Sequence, residues 1–175
     1  MYYGRSKIRS ISPLIRINKD LIIEQILTGL TEKFETLSQA ARATYDGAIH
    51  DESKAEDKYD TRGLEASYLA GAQAERASEI EAAISIYSNL KARDFSLDDP
   101  VALTALVEVE VDGKEALYFV GPEGGGTKLR MEGRDIIVIT PKAPLGKRLI
   151  GKVVHDEFNF SAGWNLRYYT ILSIA

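Results

Sequence analysis

The chain has 175 residues, no cysteine and two histidines, and its 22 basic against 26 acidic side chains leave a net charge of −4. That length suits one domain or two small ones. The missing cysteines exclude disulfides and thiolate zinc sites, two histidines are too few for a histidine-rich metal cage, and the acidic balance speaks against a general nucleic-acid binder.

Residues 1–19 carry Arg5, Lys7, Arg9, Arg16 and Lys19 with no acid, interrupted by Pro13. They lack the apolar core and cleavage site of a signal peptide, and no apolar run in the chain approaches the ~20 residues that span a bilayer. The expectation is a poorly ordered basic leader on a cytoplasmic protein that engages no membrane.

From Asp20 to Ala48 a series recurs at Ile22, Ile26, Leu30, Phe34, Leu37, Ala41, Thr44 and Ala48. Steps of three and four residues place it on one helical face, with Asp20 as N-cap. A second series runs Tyr59, Gly63, Ala66, Ala70, Gln73, Ala77, Ile80, Ile84, Tyr87 in alternating steps of four and three, the seam of a coiled coil. Ser53-Lys54-Ala55-Glu56 fits a capping box, so this helix is expected to start at Ser53, with Asp60 or Thr61 as the rival start. Both seams carry large side chains away from the stretch between them and small ones towards it, which predicts an antiparallel hairpin that tapers. Its tip, His50 to Asp60, holds Asp51, Glu52, Glu56, Asp57 and Asp60.

Periodicity stops between Lys91 and Pro100, and a domain boundary is expected near residue 96. Beyond it, Leu106–Val111 alternates, Asp112-Gly113 suits a two-residue hairpin turn, and Glu115–Val120 returns. Further strands are expected at Asp135–Thr140, Lys152–Val154 and Leu166–Leu172, with a hairpin loop at Gly121–Gly126. The fold class is α+β: a helical hairpin over 20–95, then a small antiparallel sheet over 96–175 with one face covered by a short helix or loop.

The glycine run lacks the lysine-then-hydroxyl order and the following helix of a phosphate loop. No nucleophile–histidine–acid arrangement stands out, and His155 reads as a surface histidine. The segment Thr140–Lys152 carries Lys142, Lys147, Arg148 and Lys152 with no acid, which suits either a solvated loop or an anionic docking patch. The tip reads either as a solvated turn or as a divalent-cation site. Magnesium takes one or two carboxylates and is completed by a partner's oxygens, so such a tip lends a carboxylate to a metal held elsewhere.

Val107-Glu108-Val109-Glu110-Val111, Ile139-Thr140-Pro141, Pro144-Leu145-Gly146-Lys147, Leu149-Ile150-Gly151-Lys152 and the closing Tyr168–Ile174 together resemble the C-terminal signature of the Gre family of bacterial transcript-cleavage factors. The first half is similar in layout and in His50, Glu52, Lys54 and Tyr59. The resemblance implies a coiled-coil hairpin and an FKBP-like second domain, with no intrinsic cofactor. It also implies a protein that is not itself an enzyme and that docks at the rim of the RNA polymerase secondary channel through Lys142, Lys147, Arg148 and Lys152, while the tapering seams and the linker near Phe95–Pro100 predict a monomer. The hairpin would enter the channel and meet nascent RNA only within the complex. Glu52 and Glu56 would act there as the catalytic carboxylates, holding Mg2+ jointly with the polymerase while backtracked RNA is cleaved. The family's two tip acids stand three positions apart, and Ala55 falls where the second belongs. That departure keeps open a channel regulator that binds without stimulating cleavage. A peptidyl-prolyl isomerase would need a deep aromatic-lined pocket, whereas Tyr118, Phe119, Phe158, Phe160, Trp164, Tyr168 and Tyr169 suit core packing. A plain coiled-coil adaptor is the third reading.

Overall fold

The computed structural model describes residues 17–52, 62–96 and 98–175, without the side chains of 47–52, 62, 63, 66 and 162. Two long helices open it, α1 (Lys19–Glu52) and α2 (Arg62–Ser88). At 1.5 Å per residue, the 34 residues of α1 reach ~51 Å. Its N-cap is Asn18, not Asp20. The Asp20 N–H donates to Asn18 Oδ1 at 2.9 Å, and Asp20 itself falls in the first turn, where a carboxylate favours the positive end of the helix. α1 runs four residues beyond the expected Ala48, and α2 as described opens at Arg62. The expected start at Ser53 lies outside the described residues.

Where side chains are described the paired seams lie as their spacing requires, while those of Ala48, Tyr59, Gly63 and Ala66 lie outside the described residues. Ile22, Ile26 and Leu30 of α1 and Ala70, Ala77 and Tyr87 of α2 are buried, while Phe34, Leu37, Ala41, Thr44, Gln73, Ile80 and Ile84 are half-buried. Burying an alanine at Ala70 or Ala77 requires the facing helix to come close, which a seam of large residues would prevent. Thr44 is the polar member of its row. Its hydroxyl donates to the Ala40 carbonyl at 2.9 Å and lies 3.4 Å from Gln73 Oε1 across the seam.

The second half forms a six-stranded sheet: β1 (Leu106–Val111), β2 (Lys114–Val120), β3 (Lys128–Met131), β4 (Arg134–Ile139), β5 (Glu157–Ala162) and β6 (Asn165–Ile174), in the order β3-β4-β2-β1-β6-β5. A short helix, α3 (Pro144–Leu149), lies between β4 and β5. Asp112-Gly113 and Glu132-Gly133 both have positive φ, the primed turn that matches strand twist, and they close β1–β2 and β3–β4.

Three expectations need correction. The sheet is not wholly antiparallel, because β2 and β4 pair in parallel, Leu117 with Ile136 through Val120 with Ile139. The cause is β3, which takes the outer position and sends its hairpin partner back beside β2. Gly121–Gly126 is accordingly a crossover loop and not a hairpin, since β2 and β3 are not neighbours. Lys152–Val154 is not a strand. Asp156 Oδ2 accepts from the Val153 N–H at 3.0 Å, the Asp156 N–H returns to the Val153 carbonyl, and His155 takes a φ of 71°, so this stretch turns before β5 begins.

Each face of the sheet has its own core. On one, the base of the hairpin (Ile22, Ile23, Ile26, Leu30, Ala83, Tyr87) packs with Leu106, Leu117, Phe119, Met131, Ile136 and Val138. On the other, Val107, Val109, Val120, Ile139, Tyr169 and Ile171 cluster with Leu149 of α3. The joining segment is tied down. The Arg93 N–H donates to Thr104 Oγ1 at 3.0 Å, Lys19 Nζ donates to the Arg93 carbonyl, and Lys19 and Arg93 lie 4.8 and 4.7 Å from the Phe95 ring centre. Burial holds the Lys19 amine below its usual range, against the pull of Asp94 and Asp20.

Candidate functional site

Two regions carry the residues that chemistry singled out. At the distal end of the hairpin, Glu52 is the last residue of α1, and its side chain lies outside the described residues, as do Glu56, Ser53 and Tyr59. Among the described residues no three histidine or carboxylate side chains gather as a metal site. No described helix is long and apolar enough to cross a membrane.

The basic segment is fully described and rigidly built. Pro144 opens α3, where its fixed φ and missing N–H cost nothing. Gly146 lets the helix lie against the end of β4, since a Cβ there would come 1.9 Å from the Thr140 carbonyl oxygen. Leu149 anchors α3 in the core, and Val101 clamps its exit: Val101 N–H to the Lys152 carbonyl at 2.8 Å, Gly151 N–H to the Val101 carbonyl at 2.9 Å. The periodicity of so short a helix was hidden by its proline and glycine, which read as loop.

The four basic residues divide into two pairs. Lys142 Nζ lies 3.5 Å from Glu123 Oε1, and Lys152 Nζ lies 3.9 Å from Asp156 Oδ2. Both contacts are long and wet, so they constrain little. Lys147 and Arg148 are exposed on the last turn of α3, and among the described residues neither has an ion-pair partner. Cations there also meet the negative end of the helix. Beside them stand apolar side chains that charge counting passed over. Ile150 and Val153 are exposed next to this turn, and so is Leu103, two residues beyond the Val101 clamp. The turn thus combines exposed charge with an apolar margin, and burial of apolar surface is an attraction that salt does not screen.

The aromatic residues of this half do not all pack inside. Phe158 stacks on Tyr169 with ring centres 5.1 Å apart, Phe160 meets Tyr169 edge-on at 6.4 Å, and burial raises the Tyr118 and Tyr169 hydroxyls above their usual range. Trp164, by contrast, is fully exposed and Tyr168 is 66% exposed, which corrects the expectation that both are core.

The molecule is therefore a helical hairpin seated on a mixed, mostly antiparallel sheet, with a basic, partly apolar face at α3. No protein-family model and no curated protein matches the chain. Among solved structures it is similar to the GreA factor homolog 1 (Gfh1) protein of Thermus thermophilus, at 21% identity and a TM-score of 0.35 over 87% of this chain and 94% of that one. It is also similar to Thermus aquaticus Gfh1, at 20% identity and a TM-score of 0.36 over 84% and 92%. The elongation factor GreA/GreB from Nitrosomonas europaea gives 18% identity and a TM-score of 0.34 over 67% and 94%.

Proposed function

We propose that this protein is a transcription elongation factor that docks on bacterial RNA polymerase through α3 and inserts its helical hairpin into the secondary channel. The observation that carries the reading is the α3 turn. Lys147 and Arg148 project to solvent from a helix fixed by Gly146, Leu149 and Val101, within the stretch of sequence that carries the Gre-like signature. A rigid turn loses little freedom on binding, so its charges act at full effect. The long hairpin supports the same reading, because its distal seam of small residues suits a narrow passage.

Within the complex, Glu52 and Glu56 would lend carboxylates to a magnesium ion shared with the polymerase, which supplies an activated water for cleavage of backtracked RNA. This chain's part is to carry those carboxylates to the reacting phosphate and hold them there. A second reading keeps the docking and drops the cleavage. It is favoured by Ala55, which stands where the second tip acid of a Gre-like pair would fall.

Binding of the full chain to bacterial RNA polymerase at low salt tests the proposal. Saturable binding that weakens with salt, and that is lost on reversing Lys147 and Arg148, supports it. No binding leaves the adaptor reading in its place.

A further inference from the structure

Thr104 occupies a backbone position that suits glycine. The turn Ala102–Ala105 is closed by the Ala105 N–H on the Ala102 carbonyl at 3.1 Å, and Thr104, its third residue, takes a φ of 70°. Of the two central residues only Thr104 has positive φ, the pattern of a type II turn, whose third position favours glycine or asparagine. A β-branched residue is strained there, because its Cβ crowds the backbone. Thr104 is also the one buried polar side chain among the described residues, at 2% exposure. Its hydroxyl gives a reason for keeping it: Thr104 Oγ1 accepts from the Arg93 N–H at 3.0 Å. Glycine would relieve the backbone and lose that acceptor.

That bond is the middle link of a strut running from the docking face to the hairpin. At one end Val101, just before the turn, clamps the exit of α3 through Gly151 and Lys152. The Thr104 N–H donates to the Val120 carbonyl at 2.8 Å and the Val120 N–H returns to the Ala105 carbonyl at 2.9 Å, which fixes the turn to β2. From Thr104 the strut passes to Arg93, whose carbonyl accepts from Nζ of Lys19, the first residue of α1. Asp99 accepts from the Arg93 guanidinium at 3.1 Å and from the Ser96 N–H at 2.8 Å, so this stretch folds back on itself. The other helix has its own tie, from the Tyr87 hydroxyl to the Glu123 carbonyl. Apolar burial at the hairpin base attracts without direction, and the two polar ties, one per helix, supply the direction.

We propose that Thr104 is a positioning residue, whose hydroxyl holds Arg93, and through it α1, so that the hairpin stands at a fixed angle to the α3 face. Strain is kept at this point because a side-chain acceptor there couples the turn to the joining segment. The lever is long. At about 1.5 Å per residue Ala43 lies ~36 Å along α1 from Lys19, so a tilt of ~10° at the base moves it ~6 Å. Only the purpose of the fixed angle, presenting the distal end to a polymerase held at α3, rests on the function proposed above.

The chain has no cysteine, so Ala43→Cys on the hairpin and Trp164→Cys at the β5–β6 turn, both at exposed residues, place two spin labels whose separation dipolar spectroscopy reads. The full chain so labelled is expected to give one narrow distance distribution. Thr104→Ser keeps the hydroxyl and keeps the distribution narrow. Thr104→Gly broadens or shifts it by ~5 Å or more, as the lever arm requires. Its Tm stays within ~5 °C of the parent, because relief of strain offsets the lost bond. Ile171→Val thins the core on the opposite face of the sheet, lowers Tm by a similar amount and leaves the distances alone. Should Thr104→Gly unfold, Lys19→Met cuts the same strut one link further on, at a partly exposed residue, and is expected to broaden the distribution in its place. The distances need no polymerase, so a failure to bind polymerase overturns the docking reading and leaves this one standing. An unchanged distribution in Thr104→Gly, or in Lys19→Met where that variant replaces it, overturns the proposal. So does broadening in Thr104→Ser or in Ile171→Val that equals that of Thr104→Gly.

Discussion

The Tyr87 hydroxyl occupies the space that a side chain at Gly121 would fill: a Cβ on Gly121 would come 2.2 Å from that oxygen. The same hydroxyl donates to the Glu123 carbonyl at 2.7 Å, so the end of α2 is pinned to the loop after β2 by one buried residue. Gly121→Ala therefore pushes Tyr87 off its acceptor and is expected to cost ~1–3 kcal/mol, the usual range for overpacking. Tyr87→Phe removes the bond for ~1 kcal/mol and also removes the obstacle. Urea unfolding of both single variants and the double variant should show the double losing less than the sum, since the two residues compete for one space. Strict additivity would mean that the hydroxyl and Gly121 do not meet in this way.

Alkaline pH should weaken the same pin. Burial pushes the Tyr87 hydroxyl up to about 12. The neutral form is thus favoured in the folded chain, and this contribution is fully present below the ordinary tyrosine value near ~10. It is lost as pH rises from there towards about 12. The stability advantage of the wild type over Tyr87→Phe should narrow across that window. An advantage that widens would contradict the assignment of the neutral hydroxyl as donor.

Reversing Lys147 and Arg148 to glutamate should weaken polymerase binding about tenfold or more and leave unfolding within ~0.5 kcal/mol of wild type, because both side chains are exposed and away from the core. Gly146→Ala gives the complementary result. A methyl 1.9 Å from the Thr140 carbonyl oxygen displaces α3, so binding and stability should fall together. Binding that survives both changes would move the docking face elsewhere.

The hairpin was legible because burial acts directly on spacing. Ile22, Ile26 and Leu30 are buried at steps of four, and Ala70, Ala77 and Tyr87 at steps of seven and ten that return to one helical face, and nothing local competes with that pattern. The cap was misplaced by two residues because Asn18 and Asp20 both suit the position, and only the bond from the Asp20 N–H to Asn18 decides. β3 was missed because Lys128-Leu129-Arg130-Met131 is short and half charged, and its existence is what turns β2 and β4 parallel. Pairing of that kind depends on contacts between distant residues, which local pattern does not encode. Composition also could not say that Trp164 and Tyr168 face solvent while Tyr169 and Phe158 stack inside, since alternation on β6 assigns neighbours to opposite faces. Of the candidate site, Lys147 and Arg148 were readable as charge without acid. Ile150, Val153 and Leu103 were not, because their exposure follows from how α3 is clamped to Val101.

The tip separates a cleavage factor from a factor that only occupies the channel. If Glu52 and Glu56 help to hold a shared magnesium ion, stimulated cleavage of a backtracked complex requires magnesium, and Glu52→Ala abolishes the stimulation. A metal-positioning carboxylate is worth several kcal/mol in the transition state, and each ~1.4 kcal/mol is tenfold in rate. Polymerase binding by Glu52→Ala should stay near wild type, because residue 52 ends α1 while the proposed docking residues Lys147 and Arg148 belong to α3. Glu56→Ala should behave likewise if Glu56 replaces the acid missing at Ala55. One series on one backtracked complex decides between the readings: wild type, Glu52→Ala, Glu56→Ala and Ala55→Glu. An active wild type silenced by either alanine establishes the shared-metal role. An inactive wild type that gains cleavage with Ala55→Glu establishes a channel regulator whose tip acids have the wrong spacing. An active wild type indifferent to both alanines removes the role from Glu52 and Glu56 and transfers it to Asp51, Asp57 or Asp60, which the same assay resolves one at a time.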